Sequence, residues 1–181
     1  MIPLHISSPK TIYRDKYQKI TKVEADFGDF IKEYYIRDAG GRSGIVIKEN
    51  ESVLLVKQYR ILIRDFSWEI PGGKVDTGEL PMLSARRECF EETGVDCYDL
   101  KPLVFYHVGL DTSYNPTHIF YTDKFSQLKP FEPDPKEVIE MKWVPIDECL
   151  ELISKKEIVD SFTIIALLSF NSFRDKLNLL D

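Results

Sequence analysis

GGKVDTGELPMLSARRECFEETGV, residues 72–95, decides how this chain is read. From Leu80 to Thr93 it holds no glycine, and its one proline, Pro81, stands where a first helical turn tolerates one. Gly94 follows where a left-handed C-terminal cap is wanted, so the stretch is a helix. On that helix Glu88, Glu91 and Glu92 fall within an arc of about 100°. At separations of ~5 Å and an effective dielectric of ~20, each pair repels by roughly 3 kcal/mol. Arg87 reaches Glu91 at i,i+4 while Arg86 lies elsewhere on the wheel, so a single arginine cannot neutralise all three acids.

A solvated acidic face accounts for three glutamates taken alone. Their neighbours point elsewhere. Pro71-Gly72-Gly73 lets the backbone turn sharply and approach an ion or ligand, and Glu79 stands at the entry to the helix. A divalent cation supplies the charge that one arginine lacks. Oxygen-only ligands suit Mg²⁺ or Mn²⁺, and Mg²⁺ keeps waters and shares its shell with substrate phosphates, so the carboxylate face implies a phosphate-bearing ligand.

The rest of the chain sets the frame. With 181 residues, 43% hydrophobic and 30% charged, it reads as one globular domain. A net charge of −6 argues against nonspecific nucleic-acid binding, which needs basic patches. Cys89, Cys97 and Cys149 lack metal-type spacing, and their odd number suits reduced thiols buried as small core residues. MIPLHISSPK has neither a basic nor a long apolar leader region, and no apolar run is long enough to span a bilayer. A cytoplasmic protein without membrane partners is the expectation.

Val23, Ala25 and Phe27 alternate with Glu24 and Asp26, a strand turned by Gly28-Asp29 into its hairpin partner FIKEYYIR. Residues 1–40 therefore read as a small antiparallel β flap and 41–181 as the main body. Apolar runs at 44–47 and 53–56 predict a central hairpin, and Trp68–Ile70 a short strand leading into the glycine turn. Further strands are expected at 101–109, 117–125 and 137–144. A last helix is expected from about Val159 to Leu177, with Phe162, Ile165, Ala166, Phe170, Phe173 and Leu177 inward. LKPFEPDPKE, residues 128–137, is the most loop-like interior stretch.

Gly73, Glu79 and the run Arg87-Glu88-Cys89-Phe90-Glu91-Glu92-Thr93-Gly94-Val95 match every specified position of the Nudix box. The chain resembles Nudix hydrolases, and VLLVKQYR, WEIPGGKVDTGE and the late EVIEMKWVPIDECLELISKKEIVDSFTIIALL look like the ADP-ribose pyrophosphatase branch. That resemblance implies an α/β/α sandwich with a mixed sheet, preceded by the flap and supporting a homodimer. It implies Mg²⁺-dependent cleavage of a nucleoside diphosphate sugar into a nucleoside monophosphate and a sugar phosphate. Pro116 comes later in YHVGLDTSYNP than the loop proline usual in members acting on ADP-ribose, so ADP-sugars and GDP-mannose stay open as substrates. Hydrolysis of nucleotide or dinucleoside polyphosphates, or ligand sensing without catalysis, are the competing readings.

Carried over by position, Glu88 and Glu92 are the implied metal ligands, Glu91 is a ligand or proton acceptor, and the Gly72 carbonyl completes the shell. Glu137 is the implied additional ligand or base, and the catalytic glutamate that some members carry just upstream has no clear counterpart here, with Glu132 and Asp134 as its substitutes. Arg87 is implied to orient the glutamates, with Gly73 and Glu79 in support. Arg60 suits a phosphate through its planar fork. Glu69, Trp68 and Tyr35 are the remaining substrate-contact candidates, with Tyr34 comparable to Tyr35. His107 and His118 are assigned nothing.

Overall fold

The computed structural model describes residues 1–132, 134 and 136–177, with side chains described to residue 173. In chain order the strands of the first half are β1 (His5–Ile6), β2 (Lys10–Arg14), β3 (Lys19–Asp26), β4 (Ile31–Asp38), β5 (Arg42–Glu49), β6 (Ser52–Arg60), β7 (Asp65–Glu69) and β8 (Gly72–Lys74). Then come α1 (Pro81–Thr93), β9 (Val95–Cys97), β10 (Lys101–Gly109), β11 (Ser113–Thr122), β12 (Phe125–Gln127), β13 (Glu140–Pro145), α2 (Ile146–Ser154) and α3 (Ser161–Leu177). Among the described residues no helix is long and apolar enough to cross a membrane.

Two compact units are distinguishable. The first combines Met1–Arg42 with Tyr106–Thr117, and the second combines Ser43–Phe105 with the chain from His118 onward. The flap expected over residues 1–40 thus shares its unit with the outer end of the β10 and β11 segment, a distant piece of sequence.

In the first unit β3 is the central strand. It pairs antiparallel with β4 from Lys19↔Asp38 to Asp26↔Ile31, and with β1 and β2 on its other edge. Period-2 alternation buries Thr21, Val23 and Ala25, while Lys22 faces outward and pairs with Glu33 at 2.6 Å and Glu24 at 2.9 Å. β11 joins β4 in parallel at Ser113↔Arg37, which makes the sheet mixed.

In the second unit β5 is buried on both faces. Ile45 and Ile47 pack with Leu54 against Ala85 and Cys89 of α1. Gly44, of opposite parity, faces α3 so closely that a Cβ there would lie 2.3 Å from the Phe162 ring. Helices on the two faces of one strand give the layered α/β/α arrangement. β6 pairs antiparallel with both β7 and β13. The start of α3 is pinned to the chain after β7, since Ile70 N–H donates to Thr163 Oγ1 at 3.1 Å. Phe162, Ala166 and Phe170 are buried as expected, whereas Phe173 is 41% exposed, and Leu177 lies outside the described side chains. All three cysteines are free and buried.

Candidate active site

The glycine turn and α1 are built for each other. Pro81 opens the helix, and Gly94 closes it at φ 72°, donating its N–H to Phe90 O at 2.9 Å. A Cβ at Gly73 would stand 2.4 Å from Glu88 Oε2, so only glycine there lets the Glu88 carboxylate rest against the turn.

Arg87 is the hub of the acidic face. Its Nε and Nη2 donate to the two oxygens of Glu79, each at 3.0 Å. Its Nη1 donates to Glu88 Oε1 at 2.7 Å and Glu91 Oε2 at 3.1 Å. This fork holds the Glu79 carboxyl below its usual range and raises the hold of Arg87 on its own proton. Glu92 lies beyond that reach. It accepts from Gln58 Nε2 at 2.6 Å and from the Gly72 N–H at 3.0 Å. Burial dominates and pushes its carboxyl from about 4.5 up to about 7, and burial raises Glu88 too.

Gly72 therefore meets the acidic cluster through its amide. Among the described residues no three acids are grouped closely enough to hold a cation; Arg87 bridges Glu88 and Glu91, while Gln58 and the Gly72 amide engage Glu92. Glu88 Oε2 and Glu91 Oε1 accept no hydrogen bond among the described residues, which leaves hard oxygen donors facing the turn and solvent. The donor set fits a hard divalent cation.

Glu91 and Glu92 line a cleft of about 480 Å³ whose far side is Lys129, Pro130, Phe131 and Glu132. The loop thus brings Glu132 to the carboxylate helix. Glu137 does not line this cleft; it is exposed, and its N–H donates to Asp134 O at 3.0 Å in a local turn.

Arg60 and Glu69, proposed separately from sequence, are partners of each other. Arg60 Nε donates to Glu69 Oε1 at 2.7 Å, Nη2 pairs with Oε2, and Glu69 is only 1% exposed. The pair sits in a second cleft of about 450 Å³ with Ser67, Asp160 and the aliphatic turn Ile61–Ile63. Trp68 is buried, with Lys57 Nζ 5.3 Å from its ring centre, so it offers no open face for stacking. Tyr35 is half exposed on β4 in the first unit, its hydroxyl donating to Glu33 at 2.9 Å. Gln58 was missed by the sequence reading. Its signal was its place two residues before Arg60, on the same face of one strand.

Residues 39–163 match the profile of the NUDIX domain. The chain belongs to the Nudix family. This Nudix hydrolase is 31% identical to a CMP-5'-(N-acetyl-N-hydroxy-3-aminopropyl)phosphonate hydrolase of Streptomyces rubellomurinus, over 83% of this chain and 72% of that protein. It is 27% identical to an ADP-ribose pyrophosphatase of Bacillus subtilis, over 82% of this chain and 80% of that protein. In fold it is similar to an ADP compounds hydrolase, with a TM-score of 0.82 at 16% identity, covering 98% of this chain and 96% of that one. The mixed sheet with its helices and N-terminal strands is therefore a Nudix fold, and Nudix hydrolases generally use divalent metal ions.

Proposed function

We propose that this Nudix hydrolase cleaves the diphosphate bond of a nucleoside diphosphate sugar in Mg²⁺, releasing a nucleoside monophosphate and a sugar phosphate, with Mn²⁺ able to replace Mg²⁺. The observation that carries the reading is the gathering of Glu88, Glu91 and Glu92 beside the glycine turn and of Glu132 across one cleft. The relatives support it, since one is a hydrolase of a CMP-linked phosphonate and one a pyrophosphatase of ADP-ribose. Their differing bases leave the base of this substrate open.

Glu88, Glu91 and Glu92 would hold the cations with the Gly72 carbonyl, Glu137 would add a ligand or base, and Glu132, which lines the cleft, would stand in for the upstream catalytic glutamate. Bound cations would neutralise the diphosphate and make a water acidic enough to attack near neutral pH. The chain's own residues set the stage. Arg87, braced by Glu79, fixes Glu88 and Glu91 and so prevents their mutual repulsion from splaying them. Glu92, whose carboxyl burial raises to about 7, would hold a cation as the carboxylate, so cation binding there would be linked to release of its proton. Arg60, aligned by Glu69, offers its remaining N–H to a phosphate oxygen, and Tyr35 remains a candidate substrate contact. Trp68 acts as core.

The three buried, free cysteines support a reducing, cytoplasmic setting, and exposed aliphatic and aromatic side chains on β2 and β4 support a homodimer.

The test is product analysis after incubation with Mg²⁺ and ADP-ribose, ADP-glucose, GDP-mannose, UDP-glucose or NADH. A nucleoside monophosphate with a sugar phosphate is expected from at least one sugar nucleotide. Turnover of nucleoside triphosphates or dinucleoside polyphosphates alone would refute the reading.

A further inference from the structure

We infer that Lys129 is a substrate-contacting residue of this site, its ammonium binding a phosphate oxygen of the diphosphate; the inference rests on the function proposed above. Three acids, Glu91, Glu92 and Glu132, line the cleft that Lys129 also lines. Its Nζ nevertheless pairs with none of them among the described residues. It lies 4.9 Å from the centre of the Phe90 ring, a contact that engages the charge while leaving the N–H donors unspent. The nearest competing cation on α1, Arg87, is consumed by Glu79, Glu88 and Glu91. An anion entering this cleft therefore has one mobile positive side chain to meet.

The placement of Lys129 is fixed by the end of the carboxylate helix itself. Leu128 and Lys129 both donate backbone N–H groups to Gly94 O, at 3.1 and 3.2 Å. Gln127 Nε2 bridges Thr93 O, at 3.1 Å, and Lys129 O. Gly94 is so close that a Cβ on it would stand 2.6 Å from Lys129 O. The main chain of Lys129 is strapped to the residues that follow Glu91 and Glu92, while its four-carbon stem remains free to swing from the ring to a ligand. A phosphate is the fitting ligand because a cleft rich in carboxylates admits an anion only together with cations, and a point-like ammonium suits phosphate oxygens without demanding a bidentate geometry.

The test is calorimetric binding of α,β-methylene-ADP, a diphosphate with an uncleavable bridge, in Mg²⁺. Lys129→Met is expected to weaken binding by about tenfold or more, and Lys129→Arg to stay within about threefold of the original chain. Lys124→Met, which removes an exposed lysine paired with Asp123 just before β12, is expected to leave binding unchanged. Thermal unfolding of each variant should match the original, which separates lost contact from lost structure. Binding of Lys129→Met within about twofold of the original, or equal weakening by Lys124→Met, overturns the inference while leaving the proposed function standing. Absence of binding by the original chain, with the guanosine, uridine and cytidine counterparts of the analogue also tried because the base is open, overturns both.

Discussion

At the scale of single residues, Glu92 shows how one carboxylate serves two states. Buried between Gln58 and the Gly72 amide, it titrates near pH 7 instead of near 4.5. A carboxyl raised in the folded state adds stability that is fully present below about pH 4.5 and is lost as pH rises through about 7. The metal-free protein is therefore expected to melt at a lower temperature at pH 8 than at pH 6, and Mg²⁺ to narrow the difference; equal melting temperatures in EDTA would count against it. Glu92→Gln removes the charge and keeps an acceptor. It should flatten the pH dependence while lowering kcat by about a thousandfold, read by product release. Gly73→Ala tests the neighbouring contact, because its Cβ falls 2.4 Å from Glu88 Oε2 and must push that carboxylate aside. A loss of activity of about a hundredfold with little change in melting temperature is expected, since roughly 1 Å of misplacement is costly in a catalytic site. The spacing of Glu88, Glu91 and Glu92 was legible because the helix period alone puts them on one face. Gln58, 34 positions from Glu92, and the mutual pairing of Arg60 with Glu69 were not, because tertiary folding alone brings such partners together.

At the scale of elements, α1 was legible to within one residue because its proline, its glycine cap and its acids all agreed. The central hairpin and α3 were readable from apolar period for the same reason, whereas β7 starts at Asp65, three residues before the expected Trp68, and ends at Glu69. The missed elements are short. β1, β9 and β12 have two or three residues, too few to display a period, and β2 is exposed throughout. α2 has nine residues after a proline, and its acids Asp147 and Glu148 in the first turn, with Ile146, Cys149 and Leu152 buried, were the available signal. Gly94 links element to site, since it ends α1 in the left-handed region and receives the loop that carries Lys129 and Glu132. Gly94→Ala meets both the backbone penalty and Lys129 O at 2.6 Å. It should cost about 1–3 kcal/mol in chemical denaturation and reduce activity further than an equally destabilising change far from the cleft.

At the scale of the whole molecule, the remaining question is what covers the first unit. β2 is exposed along its whole length, and it still carries Ile12 and Tyr13. On β4, Ile31 and Tyr35 share one strand face with Glu33 between them, and both are more than half exposed. Apolar side chains on a strand this open gain nothing from water, and burying each against another chain is worth roughly 1.5–3 kcal/mol. A second copy of this chain suits such a strand face, because a twofold axis lets the same patch serve both partners. Sedimentation at micromolar concentration is therefore expected to give twice the chain mass. Ile31→Lys places a charge in the proposed contact and should raise the dimer dissociation constant by about tenfold or more while each monomer stays folded. Sedimentation of the original chain as a monomer throughout that range would remove the dimer from the account, yet leave the carboxylate cleft, which lies within the second unit, untouched.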